Sequence, residues 1–110
     1  MLYVVIAHDG TAPGTQERRM LVRPEHMANG EKMMANGNFL FGGAIIDGAG
    51  KMAGGVLVVN FERREQIDEW LKDEPYIVNK VWERVEVHNF LVPPQFLSLF
   101  PNYQTQTAAA

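Results

Sequence analysis

The sequence is most informative between Phe39 and Phe61, where it reads FLFGGAIIDGAGKMAGGVLVVNF. An apolar run over residues 39–46 stops at the turn signal Asp47-Gly48-Ala49-Gly50, and a second β-rich run returns over residues 56–61. This pattern predicts two antiparallel strands joined by a short connection. Because the hairpin lies in the middle of the chain, the flanking segments decide which sheet it belongs to.

Each flank predicts one strand and one helix. Residues 2–8 are β-branched and aromatic and predict a strand, which is followed by a helix capped by Thr15 and stopped at Asn36-Gly37. Residues 62–72 carry apolar side chains at helical spacing, and from Val81 the polar and apolar residues alternate as in a strand. The order β-α-β-β-α-β predicts an α+β, ferredoxin-like fold with a four-stranded antiparallel sheet.

Pro24 leaves one point of this prediction open. A proline inside a helix removes a backbone donor and disfavours helical geometry at the preceding residue. Either the helix kinks at Pro24, or a short leading helix ends there and a second helix begins with Pro24 in its first turn.

Length and composition restrict the classes of partner and cofactor. The 110 residues fit one domain, and ten Lys and Arg against thirteen Asp and Glu give a net charge of −3, which provides no basic field for nucleic acid. The absence of cysteine excludes disulfides, a thiol nucleophile and Cys-based metal sites. The apolar run Leu2–Ala7 is too short to cross a membrane. We therefore expect a cytoplasmic protein that binds neither nucleic acid nor membrane and needs no metal or cofactor.

The predicted sheet would have helices on one face only. Because a large bare apolar face usually marks an interface, we expect a homodimer or higher homo-oligomer formed through that face. We expect the domain to span residues 1–92. The tail, residues 93–110, begins with a segment that is too proline-rich to extend the sheet and too apolar to stay in solvent. We expect this segment to dock on its own subunit or on a neighbouring one, and we expect disorder from Gln104 onward.

His26 is the first candidate for chemistry because arginines surround it. On an uninterrupted helix Arg19, Arg23 and His26 share one sector, which is polar and cationic. If the helix restarts at Pro24, His26 lies in its first turn, where the helix dipole favours a neutral imidazole. Either geometry suits a general base or an anion pocket. The plainer alternative is an exposed histidine in a solvated basic patch.

The acidic candidates are weaker when they are judged by position alone. Asp73 and Glu74 precede a proline, where acids commonly serve turns and caps. Asp9 ends the first strand and is either a turn former or a partner for His26 or Arg19. The histidines lack the close spacing of metal ligands, so we expect no metal site.

Several short motifs occur in the order that they have in the YCII-related (YciI-like) family. They are the opening strand Met1–Asp9, the run Arg19-(x)3-Arg23-Pro24-Glu25-His26-Met27, the glycine pairs 42–43 and 54–55, Glu74-Pro75-Tyr76 and the closing strand through His88-Asn89-Phe90. Over about residues 1–92 the chain resembles this family, which implies a dimeric ferredoxin-like α/β barrel. It also implies a site in which a helix histidine pairs with an aspartate before a proline. By this resemblance the histidine is His26 and the aspartate corresponds to Glu74, with Asp73, one residue earlier, as the alternative partner. Gly55 stands where a serine is common.

Two functions are compatible with these features. The first is a small cofactor-independent enzyme that acts on a small anionic or aromatic molecule through proton transfer by a histidine, in an isomerisation, elimination or hydrolysis. The resemblance implies relatives that remove chloride from a hydroxylated ring, and an oxygenase of the related barrel class is the enzymatic alternative. The second is a non-catalytic dimeric module that binds a small ligand or a protein. We predict catalytic roles for His26 and Glu74 and substrate binding by Arg19, Arg23, Asp9, Asp73 and Tyr76.

Overall fold

The computed structural model describes residues 1–100 and 103, and it contains the predicted elements together with two short helices. The strands are β1 (Leu2–Asp9), β2 (Phe39–Ile46), β3 (Met52–Asn60) and β4 (Trp82–Asn89). The helices are α1 (Thr15–Ala35), α2 (Arg64–Asp73), the one-turn α3 (Pro75–Val78) and α4 (Pro94–Leu97). The predicted α+β class is confirmed.

The four strands form one antiparallel sheet in the order β2-β3-β1-β4. Strand β1 is central and pairs with β3 from Leu2 opposite Asn60 to His8 opposite Gly54. On its other side β1 pairs with β4, and the register shifts between His8 and Asp9. This strand order is that of the ferredoxin-like plan, so the predicted topology is also confirmed.

The hydrophobic core lies between the helices and one face of the sheet. Alternate residues of β1, namely Tyr3, Val5 and Ala7, are at most 3% exposed and pack with buried side chains of the helices. The intervening residues Val4 and Ile6 point to the opposite face and are half-buried. We call that opposite side of the sheet the open face.

Helix α1 runs without interruption through Pro24, so of the two alternatives the helix restart at this residue is wrong. The proline is exposed, and the backbone carbonyl that loses its donor can be hydrated there. The predicted capping role of Thr15 is also wrong. The helix begins after Gly14, whose φ of 88° is left-handed, and the Thr15 hydroxyl donates instead to the Ala12 carbonyl at 2.8 Å.

The C-terminal segment leaves the sheet after β4 and reaches the open face. Leu91 is 91% exposed, whereas the Phe100 ring lies 6.2 Å from the ring of Phe41, which is on the open face. The domain boundary at residue 92 stays a prediction. The predicted disorder from Gln104 falls outside the described residues. Within the described part of the chain, no helix is long and apolar enough to cross a membrane.

Candidate functional site

A cavity of about 310 Å³ lies between α1 and the half of the sheet formed by β2 and β3. One wall carries Arg19, Arg23 and His26 of α1, and the opposite wall carries glycines of both strands. Glu74 and Tyr76 also line it. The volume is at the lower end of the range for small-molecule sites, so the cavity suits a ligand of about one ring.

The centre of the site is a hydrogen bond between His26 and Glu74. Nδ1 of His26 donates to Oε1 of Glu74, and the Glu74 side chain is 2% exposed. The carboxylate also accepts from the Tyr76 backbone N–H at 3.3 Å and from Asn29 Nδ2 at 3.5 Å. A buried carboxylate with three donors is fixed in place, and it therefore fixes the orientation of the imidazole.

The backbone at Glu74 explains why this acid, and not Asp73, meets the histidine. Glu74 has φ −64° and ψ 123°, which ends α2, and it forms the N-cap of α3 with Pro75 in the first turn. Its side chain is thereby turned inward. Asp73 is the last residue of α2, is exposed and does not line the cavity.

Two aromatic rings hold the imidazole of His26 from other directions. The Tyr76 ring stacks on it with centroids 3.9 Å apart and an interplanar angle of 13°, and the Trp82 ring meets it edge-on at 5.5 Å. Burial raises the pKa of the Tyr76 phenol, and the charges of Arg19 and Arg23 partly offset that rise. The phenol is therefore neutral at ordinary pH and offers the imidazole an uncharged flat surface.

Arg19 forms a buried ion pair with Asp9. Its Nε donates to Asp9 Oδ2 at 2.7 Å and its Nη2 donates to Asp9 Oδ1 at 3.2 Å. Lysine could not form this bidentate pair. The guanidinium also donates to the Gly54 carbonyl at 3.2 Å and lies 4.7 Å from the centre of the Tyr76 ring. Arg19 is 3% exposed. The structure thus commits most of its donors within the protein, and contact with substrate stays a prediction.

Arg23 differs from Arg19 because its charge has no partner. It is half-buried and lines the cavity, and it has no hydrogen-bonding or ion-paired partner among residues 1–100 and 103. An unpaired guanidinium at a cavity wall can bind a carboxylate, a phenolate or another anion. Arg23 therefore suits its predicted role better than Arg19 does.

The structure brings five of the seven predicted residues to the cavity and leaves two outside its lining. Asp9 lies behind Arg19, and Asp73 points to solvent. Asn29 was not predicted, although its position three residues after His26 on one helix face was an available signal. No group of three potential metal ligands occurs in the part of the chain that the structure describes.

Comparison with known proteins gives the same family as the sequence motifs. Residues 1–91 match the model of the YCII-related domain. Protein YciI of Escherichia coli O6:H1 is 32% identical over 96 residues, which cover 82% of this chain and 96% of that protein. An uncharacterized protein of Haemophilus influenzae is 30% identical over 96 residues, with the same coverage.

Solved structures show the same fold. One is the 5-chloro-2-hydroxyhydroquinone dehydrochlorinase TftG of Burkholderia phenoliruptrix in complex with 2,5-dihydroxybenzoquinone, with a TM-score of 0.75 and 18% identity over 86% of this chain and 98% of that chain. Another is Rv0793 of Mycobacterium tuberculosis, with a TM-score of 0.50 and 19% identity over 84% and 98%. These identities are low, so the likeness supports the fold alone. Together with the match over residues 1–91, the fold and site place this chain in the YCII-related domain family.

Proposed function

We propose that this protein is a small-molecule enzyme in which His26 transfers a proton to or from a substrate held in the cavity. One observation carries the proposal, namely the hydrogen bond between His26 and the buried Glu74 at the cavity wall. A base held by an orienting carboxylate is the arrangement that general acid–base catalysis requires.

The hydrogen bond determines which nitrogen of His26 acts. With Nδ1–H donating to Glu74, the lone pair of a neutral imidazole is on Nε2, which has no hydrogen-bond partner in the described part of the chain. When Nε2 takes a proton, the ring becomes an imidazolium. The Glu74 carboxylate stabilises that charge through its hydrogen bond to Nδ1–H.

The lining of the cavity favours a flat substrate with negative charge. Arg23 supplies an unpaired cation, and Tyr76 and Trp82 supply aromatic surface. The fold shared with the dehydrochlorinase TftG supports elimination as the first reaction to test. In such an elimination one ring hydroxyl first becomes a carbonyl as the chlorine-bearing carbon gains a proton. A second hydroxyl then gives its proton to Nε2 of His26, the electrons of that O–H bond form a second C=O bond, a ring C=C bond shifts to the former chlorine-bearing carbon, and chloride leaves with the electrons of the C–Cl bond.

A chloride-release assay with 5-chloro-2-hydroxyhydroquinone tests this proposal. We expect His26→Ala to lower turnover by about 100-fold or more, which is the size of a general-base contribution. The control is Lys72→Ala, because Lys72 of α2 is exposed, lies outside the cavity and is on the helix side of the sheet, away from the open face. Full turnover by His26→Ala would exclude proton transfer by this residue.

The unpaired Arg23 also favours a second function, which is binding of an anionic ligand without catalysis. The response to pH separates the two functions. Catalysis by a neutral imidazole falls when acid protonates His26, whereas binding of an anion strengthens because a second positive charge then lines the cavity. For the first function, turnover should fall as the pH is lowered. For the second function, the affinity for an anion, measured by calorimetric titration across the same pH range, should rise.

We further propose that two copies of the chain assemble through the open face into a dimeric barrel. Four valine and isoleucine side chains of β1 and β3 lie half-buried on this face, and Phe41 of β2 is 63% exposed. A stable interface here should bury well over about 1,000 Å² in total. Light scattering on dilute protein tests this, because a monomeric mass would contradict the proposal.

A further inference from the structure

Gly55 leaves room for a small side chain on the cavity side of β3. It lies opposite Ala7, on the same side of the sheet as the core, and it lines the cavity. Its φ is not in the left-handed region, and an added Cβ would meet nothing closer than 3.6 Å. The adjacent Gly54 is different, because a Cβ there would stand 2.3 Å from the Ala7 carbonyl oxygen. Neither backbone geometry nor crowding therefore requires glycine at position 55.

The Trp82 side chain borders this space and carries an unpaired donor. Trp82 is 4% exposed, and its buried Nε1–H has no hydrogen-bond partner among residues 1–100 and 103. The ring atom nearest to the added Cβ at Gly55 is Cζ2, at 3.7 Å, and Cζ2 is two bonds from Nε1. An indole N–H can only donate, and burying it unpaired is unfavourable. The Trp82 N–H therefore lacks an acceptor, and the side chain missing at position 55 leaves room beside the same edge of its ring.

We propose that Gly55 and Trp82 form a subsite for a carbonyl or phenolate oxygen of a flat ring, which accepts the hydrogen bond from Trp82 Nε1. The inference rests on the proposed function and specifies its substrate class. The Trp82 and His26 rings are 5.5 Å apart, so a ring anchored at this subsite lies beside the imidazole. Arg23 attracts the charge of the ligand, whereas the Gly55–Trp82 subsite sets the position of one oxygen.

The first experiment needs no ligand. The chain has two tryptophans, so ¹⁵N-labelled protein gives two indole N–H signals, which Trp82→Phe assigns. In Gly55→Ser the hydroxyl supplies an oxygen in the subsite, and we expect the Trp82 indole proton to move downfield and to exchange more slowly with solvent. Gly55→Ala adds carbon alone and should produce neither effect. An unchanged Trp82 signal in Gly55→Ser would overturn the inferred geometry.

The second experiment titrates the same labelled protein with 2,5-dihydroxybenzoquinone. We expect the Trp82 signal to move downfield on binding and Gly55→Ala to weaken the affinity by about tenfold, as overfilling a packed site does. Gly48→Ala is the matched control, because Gly48 is exposed in the turn after β2 with nothing near its added Cβ. It should bind as the parent does. The half-buried Trp70 also lines the cavity and has an unpaired Nε1, so its signal shows whether the quinone binds at that indole instead.

Several results would overturn the subsite. They are failure of the parent to bind the quinone, binding that leaves the Trp82 signal unmoved or moves the Trp70 signal alone, and parental affinity in Gly55→Ala. Failure of the proposed function gives a different result. If the quinone moves the Trp82 signal while His26→Ala keeps full turnover, the subsite stands and proton transfer by His26 is rejected.

Discussion

Replacing Arg19 with methionine should mainly lower the free energy of unfolding, and its effect on substrate binding should be smaller. The side chains of Arg19 and Asp9 are 4% and 7% exposed, and two hydrogen bonds of 2.7 and 3.2 Å join them. Removing one partner of a buried pair leaves the other charge uncompensated, which costs about 3–5 kcal/mol. The whole free energy of unfolding of a domain is about 5–15 kcal/mol. Arg19→Met should therefore remove a large part of the free energy of unfolding.

Urea unfolding followed by circular dichroism measures this loss. With a slope of about 1–3 kcal/mol per molar urea, the midpoint should fall by roughly 1 M or more. Adding Asp9→Asn to Arg19→Met removes the uncompensated negative charge of Asp9 and should restore part of the stability. The control is Arg64→Met, because Arg64 pairs with Asp68 at an exposed (i, i+4) position, where an ion pair contributes about 0.5 kcal/mol or less.

A loss of stability in Arg19→Met no larger than that in Arg64→Met would contradict this prediction. The Arg19–Asp9 pair would then add little to the fold, and the guanidinium would be available for substrate. A large rise of the Michaelis constant in a stable Arg19→Met variant would support that reading.

Three further predictions concern the site and the sheet. Glu74→Gln should lower kcat by less than His26→Ala does, because the amide keeps the shape and removes only the charge; an equal or larger loss would contradict this. Arg23→Gln should raise the Michaelis constant and leave kcat nearly unchanged, because a positioned cation binds ground and transition states alike; a fall of kcat alone would argue against it. Hydrogen bonds from His8, and to a smaller extent from His88, lower the pKa of Glu86 in the folded protein. The ionised Glu86 therefore stabilises the fold fully above the ordinary glutamate pKa of 4.5, and this stabilisation is lost as the pH falls through the lowered pKa of the folded state. Urea midpoints measured across that range should fall less steeply in Glu86→Gln, and identical slopes would refute the assignment.

The fold was predictable because its signals are local. Strand alternation, helical spacing and the turn after β2 each depend on neighbouring residues, and together they give the order and type of the main elements. The path of α1 through Pro24 was not predictable, because tertiary packing decides whether a helix tolerates a proline. The start of α1 was missed because Gly14 adopts a left-handed conformation and Thr15 bonds backward to Ala12.

The site was predictable only in part, because its contacts are distant in sequence. His26 was identified from its position among arginines and from the family resemblance, whereas the choice between Asp73 and Glu74 depended on the backbone conformation at the end of α2. The pairing of Asp9 with Arg19 was one of several possibilities. The unpaired N–H of Trp82 is visible only in three dimensions, because it depends on what the neighbouring strand leaves empty.

The separation of 48 residues between His26 and Glu74 has a consequence for folding. The entire β2–β3 hairpin and α2 lie between them, so the pair forms only after a long loop has closed and α1 has docked on the junction of α2 and α3. Helices form in microseconds or less, whereas contacts of high sequence separation form later. During refolding the helical circular-dichroism signal should therefore return before the hydrogen bond between His26 and Glu74 forms. The state of His26 thus reports whether the tertiary structure is complete.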